Sequence, residues 1–141
     1  MCAVYNERVP VVRLLLEAGA DKEAVQNTGF TALMLSCQNG HELCARALLE
    51  AGANVNATEE DNYTALMFAA QDGHDLCVRE LIKAKADLEK QTKKGNTALM
   101  LSCQNGHELC SRIMIEANAY VNHETIKHVT ALNLACEDEH E

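Results

Sequence analysis

The sequence has a single proline, Pro10, no tryptophan, and only 4% aromatic residues. Strands and turn-rich loops usually carry more proline, so its scarcity favours helices. A shortage of aromatics favours a core of many small interlocking contacts. No run of about 18 apolar residues occurs, so no membrane-spanning helix is expected. The opening residues, MCAVYNER, hold no basic segment leading into a long apolar one, and no signal peptide is expected. There is no excess of basic charge either: 12 Lys and Arg face 21 Asp and Glu, a net charge of −9. Phosphate binding needs a basic surface, so nucleic acid is not an expected partner. The one local exception is Lys83, Lys85, Lys90, Lys93 and Lys94, which reads as a solvated patch. No glycine-rich loop able to cradle phosphate is present.

What the chain does have is repetition. The stretch TALMLSCQNGHELC occurs twice without change, at Thr31–Cys44 and Thr97–Cys110. A near-copy, TALMFAAQDGHDLC, fills Thr64–Cys77, and TALNLAC begins at Thr130. The four starts are 33 residues apart each time. A fixed period of this size marks stacked supersecondary units.

The middle copy shows what one unit is. Thr64 precedes an apolar run and can cap a helix with its hydroxyl. Leu66, Ala69 and Ala70 then fall on one helical face. Gly73 can end that helix in a left-handed conformation. A second helix starts near Asp75, whose charge suits the helix dipole, and ends near Ala84. Its buried stripe is Cys77, Val78, Leu81 and Ile82. Each helix spans about ten residues, too few to be stable alone in water. Stacked copies can bury those faces, at roughly 1.5–3 kcal/mol per Leu, Ile or Val side chain. Each copy is therefore the wall against which the next one packs.

Gly29–Ala57, GFTALMLSCQNGHELCARALLEAGANVNA, and its copies resemble the ankyrin repeat. The family pattern has a Gly, a Thr-Pro-Leu-His box, small residues, a Gly-His, a double Leu and a Gly-Ala-Asp ending; here the box reads Thr-Ala-Leu-Met in three copies and Thr-Ala-Leu-Asn in the fourth. The resemblance covers the whole chain. It implies an all-α solenoid of stacked helix-turn-helix units with short hairpin-like loops. Residues 1–141 are expected to form one domain: a partial repeat 1–26, whole repeats 27–59, 60–92 and 93–125, and a partial repeat 126–141. Met34, Met67 and Met100 stand where the family has a His that ties neighbouring loops. Lys85 and Asn118 stand where Gly19 and Gly52 follow a helix, so Lys85 is expected at positive φ.

Three pairs have the look of chemistry: His41-x-x-Cys44, His74-x-x-Cys77 and His107-x-x-Cys110. Each supplies two ligands where zinc takes four, and packed helices stand about 8–10 Å apart. No metal or cofactor is expected. The seven cysteines are odd in number, and six lie inside the repeated helical segments. Such placement suits free buried thiols and a reducing, cytoplasmic setting. Cys37 and Cys44, on facing helices, are the closest pair expected. A Cys–His nucleophile needs an exposed thiolate, so no catalytic residue is expected. The family's Asn at the turn can be a substrate for a hydroxylating oxygenase. Here Asn56 and Asn122 read as structural turn residues.

The resemblance implies a protein-binding module, working through the concave groove of loop tips and first helices. Matched position by position, the expected contact residues are Asn27, Thr28 and Phe30, then Glu60, Asp61 and Tyr63, then Lys93, Lys94 and Asn96. On the first helices they are Gln38, Asn39, Gln71, Asp72, Gln104 and Asn105. Phe30 and Tyr63 are expected as exposed anchors whose removal leaves melting nearly unchanged. A rival reading is a targeting or autoinhibitory domain of a larger enzyme. The expected state is a monomer, with Met1–Asn6 and Ala131–Glu141 fraying or associating end to end with another copy.

Overall fold

The computed structural model describes residues 8–137. The expectation for Met1–Asn6, and that for the last four residues of the chain, fall outside them. Eight helices are described: α1 (Arg8–Glu17), α2 (Ala32–Gln38), α3 (Glu42–Glu50), α4 (Ala65–Gln71), α5 (Asp75–Lys83), α6 (Ala98–Gln104), α7 (Glu108–Glu116) and α8 (Ala131–Glu137). Helices α2, α4, α6 and α8 pack side by side in one layer, and α1, α3, α5 and α7 in a second. Within each unit the pair α2–α3, α4–α5 or α6–α7 joins the layers. This is the all-α solenoid that the resemblance implies.

The helices are shorter than expected, seven residues in the first layer from α2 on and nine in α3, α5 and α7. The capping residues set that length. The hydroxyls of Thr31, Thr64 and Thr97 accept hydrogen bonds from the backbone N–H of Met34, Met67 and Met100 at 3.2–3.3 Å. Thr130 does the same with Asn133, whose side chain returns a bond from the Thr130 N–H at 3.0 Å. At the other end Gly40, Gly73 and Gly106 turn left-handed, with φ between 71° and 76°. Seven helical residues fit between these two signals.

Leu33, Met34, Leu66, Met67, Leu81, Leu99 and Met100 are the large side chains at the centre of the core. Helix α4 is buried almost all round, from Ala65 to Ala70, because α2, α6 and α5 surround it. The small Ala69 and Ala70 let those neighbours close in. Met67 adds to its own helix cap, its Sδ accepting the Thr64 N–H at 3.4 Å, a bond within the unit that ties no neighbouring loop.

Two ladders run from unit to unit. His74 Nε2 donates to the Gln38 carbonyl at 3.0 Å, and His107 Nε2 to that of Gln71 at 2.9 Å. Each histidine thereby satisfies an orphan carbonyl at the end of the preceding first helix. The second ladder joins the turns. A side-chain oxygen of Glu23 accepts the Asn54 N–H, one of Asn56 the Asp87 N–H, and one of Glu89 the Tyr120 N–H, all at 2.8–2.9 Å. Asn56 is thus a structural turn residue, as expected.

Lys85 has φ 65°, matching 86° at Gly19 and 84° at Gly52. Around it the Ala86 N–H bonds Leu81 O and the Lys85 N–H bonds Ile82 O, both at 3.0 Å, which closes the helix in a Schellman motif. A lysine bears the left-handed backbone at a cost. Lys85→Gly is expected to stabilise the fold by about 1 kcal/mol, read as a shift of the denaturation midpoint with unchanged slope. A destabilised variant would contradict the strain.

Arg46 on α3 reaches Glu80 on α5 through two bonds of 3.2 Å and also pairs with Glu42. Lys83 bonds Glu80 at 2.8 Å. The Lys83 and Arg46 hydrogen bonds hold the Glu80 carboxyl below its ordinary value. A depressed carboxyl stabilises above the ordinary carboxylate range, and that stability is lost as pH falls through the lower folded value. Glu80→Gln is expected to flatten the acid limb of a stability-against-pH curve. An unchanged limb would remove Glu80 from that role.

Candidate protein-interaction site

Between the two helices of one unit and those of the next, the chain forms a short finger. Four are described, at 26–30, 59–63, 92–96 and 125–129. Each closes through a backbone bond from its first residue to the carbonyl four residues on, such as Gln26 to Phe30 at 3.0 Å and Thr92 to Asn96 at 2.9 Å. The turn residues Gly29, Asn62, Gly95 and His128 all have positive φ. Neighbouring fingers are tied by backbone bonds of 3.1 Å, from Lys93 N–H to Asp61 O and from Ile126 N–H to Lys94 O. Gly95 permits the second contact: a Cβ there would stand 2.9 Å from Ile126 N and Thr125 Cα.

The residues expected to meet a partner are placed as follows. Asn27, Thr28, Glu60, Asp61, Lys93 and Lys94 are exposed on finger tips, and Asn96 is half-buried. On the first helices Asn39, Asp72, Gln104 and Asn105 are exposed, and Gln38 and Gln71 half-buried. The amides of Asn39 and Asn105 are partly committed to their own helices, donating to Leu35 O and Leu101 O at 2.8 Å. Gln71 Oε1 is shielded and has no hydrogen-bond partner among the described residues.

Phe30 and Tyr63 are not free anchors, which corrects the expectation. Both are half-buried and pack on Phe68 of α4, with ring centroids 4.9 Å and 5.2 Å away. The cause is register: Phe68 sits where Leu35 and Leu101 sit in the other copies, directly beside the fingers. Burial, with Glu59 and Asp61 nearby, raises the Tyr63 hydroxyl pKa, so it stays a neutral donor. Removing the two finger aromatics must therefore affect stability as well as any surface contact.

Lys94, Asn96 and Gln104 come together around a cleft of about 470 Å³, with Thr125, Ile126, Lys127, Val129, Leu134 and Glu137. Asp61, Tyr63, Lys93 and Lys94 line a smaller one of about 160 Å³, with Thr92. Neither cleft includes Asn27, Thr28, Gln38 or Asn39. Phe68 and the fourth finger were missed in the sequence. Aligning the copies in columns finds both, since Val129 stands one period after Asn96 and Phe68 one period after Leu35.

Cys37 lies near Cys77 of the following unit: the contact between the two thiols, with burial, raises the pKa of Cys37, and the same contact lowers that of Cys77. Burial pushes the Cys110 thiol up to about 11. The six described cysteines are free thiols. Among the described residues no three His, Cys, Asp or Glu side chains gather in a way that could hold a metal ion. None of the described helices is long and apolar enough to cross a membrane.

Two ladders, four fingers of which the last three are tied in series, and a period of 33 define the unit. The family model described as ankyrin repeats (3 copies) matches residues 1–92 and again 66–141. The chain belongs to the ankyrin-repeat family. Ankyrin repeats are generally protein–protein interaction modules, and the family is typically non-catalytic. No curated protein matches the chain.

Proposed function

We propose that this ankyrin-repeat chain is a non-catalytic, protein-binding module whose partner lies across the fingers and first helices. The observation that carries the reading is the 470 Å³ cleft, in which Lys94 and Asn96 of one finger meet Gln104 of a first helix. Residues of the third finger, the fourth finger and two first helices converge there on one surface, held by the Ile126–Lys94 backbone bond. The finger tips also differ most between copies: Asn27 and Thr28, then Glu60 and Asp61, then Lys93 and Lys94. Packing does not dictate those positions, which leaves them available for recognition. In this reading residues 1–141 act as one domain, with whole repeats 27–59, 60–92 and 93–125 between partial ones, and work as a monomer in the cytoplasm.

The test uses the immobilised chain to capture proteins from a cell extract, identified by mass spectrometry. Thr28→Arg, Glu60→Arg and Lys94→Glu alter exposed finger tips without touching the core. Combined, they are expected to abolish capture while circular dichroism stays unchanged. Arg79→Glu and Arg112→Glu, on exposed positions of the second helices, are expected to leave capture intact. The reverse pattern would refute the finger-face reading.

A further inference from the structure

We infer that the cleft between the third and fourth fingers takes an extended segment of the partner in which an aliphatic side chain is flanked by carboxylates. This rests on the finger-face reading above and adds the chemistry of what is bound. Leu134 is buried at the cleft, Val129 is half-buried and Ile126 is 68% exposed. Those three give an apolar seat. Asn96 and Gln104 add side-chain amides, which both donate and accept and so suit a peptide backbone. At the rim stand Lys94 and Lys127, which can only donate.

Charge decides the flanking groups. Lys83 and Lys93 have carboxylates at 2.8 Å and 3.8 Å, in Glu80 and Asp61. Lys94 and Lys127 have none in ion-pair reach among the described residues. Among the described residues Glu137 is the single carboxylate lining the cleft, so two ammonium groups outweigh it. The chain's net charge of −9 does not cancel this, because more distant charges are screened beyond about 8 Å at physiological salt. A nucleic-acid strand would have to carry its phosphates onward past Glu60, Asp61 and Glu124, whereas a short acidic segment would not. The Ile126–Lys94 backbone bond and the close approach at Gly95 fix the walls, so little ordering is left to be done on binding.

The experiment selects a displayed library of random linear peptides on the intact chain. Enriched peptides are resynthesised with fluorescein and titrated by fluorescence polarisation. They are expected to carry Asp or Glu on both sides of a Leu, Ile or Val. Lys94→Glu with Lys127→Glu is expected to weaken them at least about tenfold, as is a rise to high salt, and peptides with Lys in place of the acids should regain binding to that variant. Neutral or basic peptides, no enrichment, or indifference to the double reversal would overturn the inference. So would fluorescent polyuridine that binds as tightly and competes. If peptides of the wrong chemistry are still lost with Thr28→Arg and Glu60→Arg, the finger-face reading survives without this one. If they are lost only with Arg79→Glu, both fall.

Discussion

Phe68→Ala is expected to destabilise the chain by about 3–5 kcal/mol, enough to lower the melting temperature by roughly 10 °C. Phe68 is 8% exposed and lies between two finger rings. Truncation removes the buried ring and leaves a void that Phe30 and Tyr63 cannot both fill. Aromatic contacts of this kind add about 0.5–1.5 kcal/mol to the area they bury. Phe30→Ala and Tyr63→Ala each remove one of the two contacts, so each is expected to cost less. Combined with Phe68→Ala, either should cost less than the sum of the two changes, because the ring it touched is already gone. Thermal and urea denaturation of the single and double variants measures this. Additive losses, or a Phe68→Ala cost below about 1 kcal/mol, would mean that the three rings do not act as one cluster.

Gly73→Ala is expected to cost about 2–3 kcal/mol, and Gly106→Ala only about 1 kcal/mol. The glycines are equivalent in register and have φ of 76° and 71°, so the backbone strain is common to both. What differs is the neighbour. A Cβ on Gly73 would stand 2.6 Å from His107 Nδ1, whereas among the described residues nothing lies within 4 Å of one on Gly106. His107 would have to move, and its bond to the Gln71 carbonyl would be lost. Gly40, facing His74 at 2.7 Å, should behave like Gly73. In a His107→Ala background the cost of Gly73→Ala should fall to that of Gly106→Ala. Equal costs in all three glycine variants would remove the His–carbonyl ladder from the forces that join the units.

The stacking was legible because every unit repeats its own signals. Thr31, Thr64, Thr97 and Thr130 mark helix starts, and Gly40, Gly73 and Gly106 mark stops, at one spacing. The positive φ of Lys85 is legible because its column holds Gly19 and Gly52. What a column could not reveal is which residue of one unit meets which of the next. The turn ladder joins residues 31 apart and the histidine ladder residues 36 apart, so neither offset equals the period. The contact of Cys37 with Cys77, 40 residues on, has yet another offset that no column displays. Loop position alone points to exposure for Phe30 and Tyr63, but Phe68, the one aromatic on the described first helices, turns them inward. On the candidate face, Lys94, Asn96 and Gln104 were legible from register, and the fourth-finger wall was not.

The most direct test is an amide hydrogen-exchange footprint of the chain with and without a protein that it captures. Binding across the fingers and first helices predicts slowed exchange at 27–30, 60–63, 93–96 and 125–129, with the second helices α3, α5 and α7 unchanged. Slowed exchange confined to those second helices, with the fingers exchanging as in the free chain, would contradict it.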